Sequence, residues 1–178
     1  MSRMPGSYVA LLAQVFVGTM ALTIFASDAR TDEIDKAYVQ GVIEGTWTLA
    51  EWNVDGTNLQ PPEVDGRFSI HGGVVMYFLE RRTPGKEIFV SGYGSYDLAE
   101  TNWSYHYEHF RTLLGTGNDT KVYNEAPWPG IRTFEFRIEG SKLILDDKRD
   151  DAMFAFEPGG FAYIENGKTA RVWKSVPE

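Results

Sequence analysis

From Gly45 to its end, the chain divides into ten short stretches of alternating apolar and polar residues, each closed by turn-forming sequence. They run over Thr46–Val54, Gly66–Ile70, Gly73–Glu80, Glu87–Leu98, Trp103–Leu113, Ile131–Ile138, Lys142–Asp146, Ala152–Phe156, Phe161–Glu165 and Thr169–Ser175. Period-two alternation is what a strand with one buried face requires. The separators include VDG (twice), RTPGK, GTGND, APWPG, IEGSK, EPGG and ENGK, rich in the residues that turn the backbone. Asn166-Gly167 in ENGK is the strongest hairpin signal, because a type I′ turn needs positive φ at both central positions. Strands joined in this way form an antiparallel meander, which hides its edges most simply by closing on itself. The expected fold is all-β, an up-and-down antiparallel β-barrel.

Two segments precede it. Thr31–Gly45 starts with a capping residue and an acidic first turn, then places Ile34, Tyr38, Val39 and Val42 at helical spacing, which predicts a short N-terminal helix. Ahead of that, Tyr8–Ala26 is 19 residues without a charge, preceded by Arg3 and followed by the small residues Ala26, Ser27 and Ala29. Such a stretch is a secretory signal peptide or an uncleaved membrane anchor. The expected organisation is therefore 1–29 signal or anchor, 30–44 helical lead-in and 45–178 barrel. Either leader exports the domain, to a secreted or periplasmic location or to a membrane tether, and the membrane is met only through this segment.

Composition removes several chemistries. With no cysteine there is no disulfide, thiolate metal site or thiol nucleophile. A formal charge of −8 without a clustered Lys/Arg stripe argues against a nucleic-acid partner. The sequences Asn102-Trp103-Ser104 and Asn118-Asp119-Thr120 match a glycosylation acceptor, relevant only in a eukaryotic host.

Several short motifs recur in a meaningful order: IEGTWTLAEW opening the first strand, SGYGSYDL in the middle, RTFEFRIEGSKLIL later, and ARVWKSV at the close. Together, over about Val42–Val176, they resemble the lipocalin-like domain family of the calycin group. The resemblance implies a cup-like barrel closed at one end near Trp47. It also implies a structural role for Trp47, its ring packed under a basic side chain of the last strand, Arg171 or Lys174. The stretch from Tyr105 to Arg132 departs most from the family pattern.

That stretch overlaps NWSYHYEHFRTLL, Asn102–Leu114. Strict alternation puts Trp103, Tyr105, Tyr107, His109 and Arg111 on one face and Ser104, His106, Glu108, Phe110 and Thr112 on the other. The first face is expected to point inward, its phenols and imidazole being easier to accommodate beside a cavity than in a dry core. Alternation on other strands adds Phe134, Phe136 and Ile138, and Val90, Tyr96 and Leu98; Gly92 and Gly94 share the Tyr96 face and leave room for rings or mark a bend. The expected ligand-binding set is Tyr96, Trp103, Tyr105, Tyr107, His109, Arg111, Phe134 and Phe136. His106 and Glu108 read as a solvated surface pair. The three histidines, His71, His106 and His109, do not suggest a zinc site, so no metal is expected. The acid-rich Asp146–Asp151 segment lacks the spaced ligands of a calcium loop and reads as an exposed turn.

The expected function is an exported barrel that binds a small hydrophobic or aromatic molecule in its interior and needs no cofactor. One alternative is a pocket-templated isomerase or cyclase using Tyr105, Tyr107 or His109 as acid or base. A further one is a packed structural envelope protein with no open interior. No Ser–His–Asp set and no phosphate-binding glycine loop is present to favour catalysis.

Overall fold

The computed structural model describes residues 34–116, 119–124, 130–147 and 149–177. The 1–29 leader, the start of the helical lead-in, Asn118 and most of the APWPG turn lie outside the described residues. Among the described residues, one helix, α1 (Lys36–Ile43), precedes twelve strands: β1 (Gly45–Val54), β2 (Thr57–Leu59), β3 (Val64–His71), β4 (Val74–Thr83), β5 (Lys86–Leu98), β6 (Asn102–Thr116), β7 (Asp119–Asn124), β8 (Arg132–Glu139), β9 (Lys142–Asp147), β10 (Ala152–Glu157), β11 (Gly160–Glu165) and β12 (Lys168–Ser175). All ten expected strands are present. The two additions, β2 and β7, pair with β1 and β6 and lie off the ring.

The remaining strands run β1-β3-β4-β5-β6-β8-β9-β10-β11-β12, and β12 pairs back onto β1. This is a closed antiparallel barrel of ten strands. Closure leaves the ring without an exposed edge, the liability an open meander of this length would carry. The β11–β12 turn forms as its sequence requires, with Asn166 at φ 51° and Gly167 at φ 68°, the left-handed values of a type I′ hairpin.

Helix α1 begins at Asp35, whose side chain accepts a hydrogen bond from the Ala37 amide at 2.8 Å. Its buried side chains are Val39 and Ile43, both fully shielded, whereas Tyr38 is exposed. The contact face is thus rotated toward Ile43 from the expected one. Val39 and Ile43 join the main core beside Trp47, Ile70 and Val75, so the helix closes the barrel end where β1 begins. Glu44 fixes this joint: it accepts a short hydrogen bond from the Tyr96 hydroxyl on β5, which ties the helix C-terminus to the wall.

Rings dominate the core. Phe154 lies 5.2 Å from Phe134, 5.7 Å from Trp103, 4.9 Å from Tyr163 and 5.7 Å from Phe161, centroid to centroid. Each such pair adds about 0.5–1.5 kcal/mol beyond the burial of its area. Trp47 is buried against Phe68, Phe156 and Phe161. Its position at the closed end agrees with expectation, but its neighbours are rings and not a cation. Arg171 lies over Trp52 and Tyr163 instead, and Lys174 is exposed.

Three bulges among the described residues set which side chains face inward; one leaves Ala170 extra on β12, opposite Tyr163 and Ile164, and the other two decide the rings of β6 and β1. Opposite Tyr93 and Gly94 on β5, the register of β6 jumps from His109 to Tyr107, leaving Glu108 as an extra residue. Opposite Trp173 and Val172 on β12, β1 jumps from Leu49 to Glu51, leaving Ala50 extra. An extra residue inverts the alternation of everything beyond it. Hence Trp47 and Leu49 point inward before the Ala50 bulge and Trp52 after it, and all three are buried.

Candidate functional site

The bulge at Glu108 decides the fate of the aromatic stretch in β6. Before it, Trp103, Tyr105 and Tyr107 face inward and are buried, as expected. Beyond it the faces swap: Phe110 turns inward to lie 5.3 Å from Tyr107, while His109 and Arg111 turn outward and are exposed. His109 stacks on the exposed ring of Tyr93 at 4.6 Å, on the outer surface of the barrel. The inward placement expected for His109 and Arg111 is therefore corrected, and Phe110 takes the inner position. Gly92 and Gly94 supply the room: a Cβ on Gly92 would lie 2.8 Å from Phe110 Cδ2 and 3.2 Å from Tyr107 Cδ1.

Phe68, Tyr77, Tyr105, Tyr107, Phe110 and Trp173 form the ring wall of an interior cavity of about 230 Å³. Phe154 borders it on the core side, and Arg132, Tyr163, Glu165 and Arg171 complete the lining. The last four come from the first residue of β8, the end of β11 and the first half of β12. The cavity thus extends from the core toward the barrel end opposite α1. Of the eight residues expected to bind a ligand, Tyr105 and Tyr107 line this cavity.

The others lie elsewhere. Trp103 and Phe134 are fully shielded core rings, 5.6 Å apart. Phe136 packs half-buried against the same core. Tyr96 is committed to Glu44 at the closed end. Ile138, expected inward, is exposed, because it sits at the rim where β8 meets its turn. Val90 and Leu98 face inward as expected, Leu98 fully and Val90 partly buried.

Two arginines at the cavity are held very differently. Arg132 Nε lies 3.5 Å from Asp147 Oδ2 and 3.7 Å from Asp150 Oδ2, and its Nη1 donates to the Tyr163 hydroxyl at 3.3 Å. Asp147 is only 3% exposed, so the acid-rich turn is not wholly solvated as expected. Its first buried carboxylate is turned inward to neutralise Arg132, an arrangement a buried guanidinium needs. Arg171 has no such partner among the described residues. Its guanidinium carbon sits 5.5 Å from the Trp52 ring centroid and 5.4 Å from that of Tyr163. Arg81 also lies over Trp52, at 5.3 Å.

Burial pushes the hydroxyls of Tyr105 and Tyr107 well above the ordinary tyrosine range, and those of Tyr77 and Tyr163 upward as well. Near neutral pH these four present O–H groups and no negative charge. They can donate a hydrogen bond to a ligand oxygen and line an otherwise apolar wall. Among the described residues, no cluster of three His, Asp or Glu side chains is placed to hold a metal ion. His106 and Glu108 share no hydrogen bond, and Glu108 is the exposed residue of the bulge.

Most of the missed cavity residues were within reach of the same alternation rule. Phe68 lies in phase with Val64 and Ile70, Tyr77 with Val75 and Leu79, and Tyr163 with Phe161. Phe110 was not, because it lies beyond a bulge. Comparison with protein-family models, with curated proteins and with solved structures finds no match for this chain.

Proposed function

We propose that this chain binds a small hydrophobic or aromatic molecule in the interior of its barrel, as an exported lipocalin-like binding protein. The observation that carries this reading is that the closed barrel is not filled at one end. Eight rings, four of them neutral phenols, surround about 230 Å³ of space where a plugged barrel would interdigitate its side chains. An apolar wall with a few convergent polar groups is the usual make-up of a ligand pocket. The volume lies below the roughly 300 Å³ at which pockets for drug-sized molecules begin, which points to a ligand built on one ring. The ordered motifs of the lipocalin-like family and the charge-free segment near the N-terminus support the same reading. Affinity comes from moving the ligand's apolar surface out of water, at about 25 cal/mol per Å² before the costs of association.

A wall substitution tests this. Phe110→Trp enlarges a half-buried ring at the cavity surface. The expected result, by calorimetry with phenol, indole and benzyl alcohol, is saturable one-to-one binding to the parent protein, weakened about tenfold or more by the variant. Thermal stability should change by no more than a few degrees. Absence of saturable binding to the parent, or binding indifferent to Phe110→Trp, contradicts the reading.

A further inference from the structure

We propose that the interior ligand is a one-ring aromatic carboxylate and that Arg171 is the group that receives its charge. This inference rests on the interior-binding reading and specifies the ligand's chemistry.

The starting point is a buried cation with no hydrogen-bond or ion-pair partner among the described residues, with Glu165 acting on it only across space. Arg171 Nε is buried and has no hydrogen-bond partner among the described residues, and the same holds for Arg81 Nε. Neither arginine forms an ion pair among the described residues, although Arg67, Arg82, Arg132, Arg137 and Arg149 all do. Both lie over the same indole, Trp52, so two unpaired cations share one ring. Ring faces attract a guanidinium modestly, but they do not replace the hydrogen bonds it loses on leaving water. Glu165 also borders the cavity and its charge favours the Arg171 cation from a distance, but the two make no ion pair, so the donors of Arg171 gain no acceptor from it. The contrast with Arg132 is internal to the site: that arginine is given Asp147, Asp150 and a phenol.

A carboxylate entering the cavity would supply what Arg171 lacks. The guanidinium offers a planar fork of donors that matches the two oxygens of a carboxylate. Tyr77, held neutral by burial, adds an O–H donor and no opposing charge. The rings of Phe68, Tyr77, Phe110 and Trp173 then flank the apolar part of the ligand. A cavity of about 230 Å³ admits one ring with a short acidic substituent and excludes a long extended chain.

The test compares acids with their neutral isosteres on the full chain. Calorimetric titration with benzoate, phenylacetate and cinnamate, and with the three corresponding primary amides, separates charge from shape. Each acid is expected to bind at least about tenfold more tightly than its amide, the scale of a charge-assisted hydrogen bond over a neutral one. Arg171→Met keeps the length of the side chain and removes the charge. It should abolish that preference, acid binding falling by at least about tenfold more than amide binding. Arg171→Lys keeps the charge without the fork and should retain part of the preference, a readout that remains if the Met variant does not fold. Equal binding of acids and amides by the parent overturns the carboxylate proposal while the cavity reading stands. A preference that survives in Arg171→Met overturns the assignment to Arg171. Failure of every compound to bind overturns both readings.

Discussion

Gly94→Ala is expected to cost this protein about 3 kcal/mol or more, enough to remove much of the 5–15 kcal/mol that holds a typical domain folded. A Cβ at Gly94 would stand 1.9 Å from the carbonyl oxygen of His106 and 2.8 Å from the Cα of Tyr107. Both are backbone atoms of the paired strand, so no side-chain rotation relieves the clash. Strands β5 and β6 would have to separate at the bulge that orients Tyr107 and Phe110. The lesion therefore falls on the fold and on the cavity wall together. Gly41→Ala makes the control, since nothing lies within 4 Å of a Cβ there and alanine is favoured over glycine inside a helix by about 0.5–1 kcal/mol. Urea unfolding of both variants checks the pair: the first should unfold at much lower denaturant, the second at the same or higher. A Gly94→Ala protein as stable as its parent would contradict the close approach of the two strands.

The second large effect lies at alkaline pH. The folded state raises the pKa of Tyr77, Tyr105, Tyr107 and Tyr163, in each case chiefly by burial. Tyr96 is pushed up to about 12, by burial and by donating its hydrogen bond to Glu44. A raised tyrosine pKa means that the native state keeps a proton the unfolded chain releases. The associated stability is complete below the unfolded value, about 10, and falls as pH rises from there toward the folded values. Each tyrosine that remains protonated removes about 1.4 kcal/mol per pH unit over that interval. The three most deeply buried, Tyr105, Tyr107 and Tyr163, together give a slope of about 4 kcal/mol per pH unit. Unfolding should thus become steep just above about pH 10, and tyrosinate absorbance should rise in the same cooperative step as the loss of near-ultraviolet dichroism. Gradual titration of all the tyrosines in a protein that stays folded would contradict the burial of these hydroxyls.

The fold was largely legible in the sequence, and the reason is physical. Ten alternating segments with turn residues between them leave few other ways to bury one face of each strand, and Asn166-Gly167 adopts the turn its chemistry favours. Residue orientation was legible only where alternation stayed in phase. Trp103, Tyr105 and Tyr107 precede the Glu108 bulge and face inward; His109 and Arg111 follow it and face out. The Ala50 bulge similarly brings Trp52, not Trp47, beneath Arg171. Neither Ala50 nor Glu108 is a glycine or otherwise marks a bulge in the sequence, because the extra residue is selected by pairing with a neighbouring strand. The Arg132–Asp147 pair was hidden for a related reason. Its members lie 15 positions apart in sequence and meet only when β8 and β9 pair at one end of the barrel.

These orientations set the character of the site. With His109 outside, no histidine lines the cavity, and its polar groups are phenols held neutral, one neutralised arginine, one carboxylate and one arginine that makes no ion pair among the described residues. That set suits holding a molecule by shape and charge. The claim on which the rest depends is that this space takes a small molecule. Native mass spectrometry of the protein purified from its host tests it most directly. The expected spectrum shows a single small adduct in one-to-one ratio, lost when Tyr105 and Tyr107 are both replaced by Ala. A bare polypeptide mass, with no adduct after incubation with one-ring acids, alcohols and phenols, would contradict it and leave a barrel whose interior binds nothing.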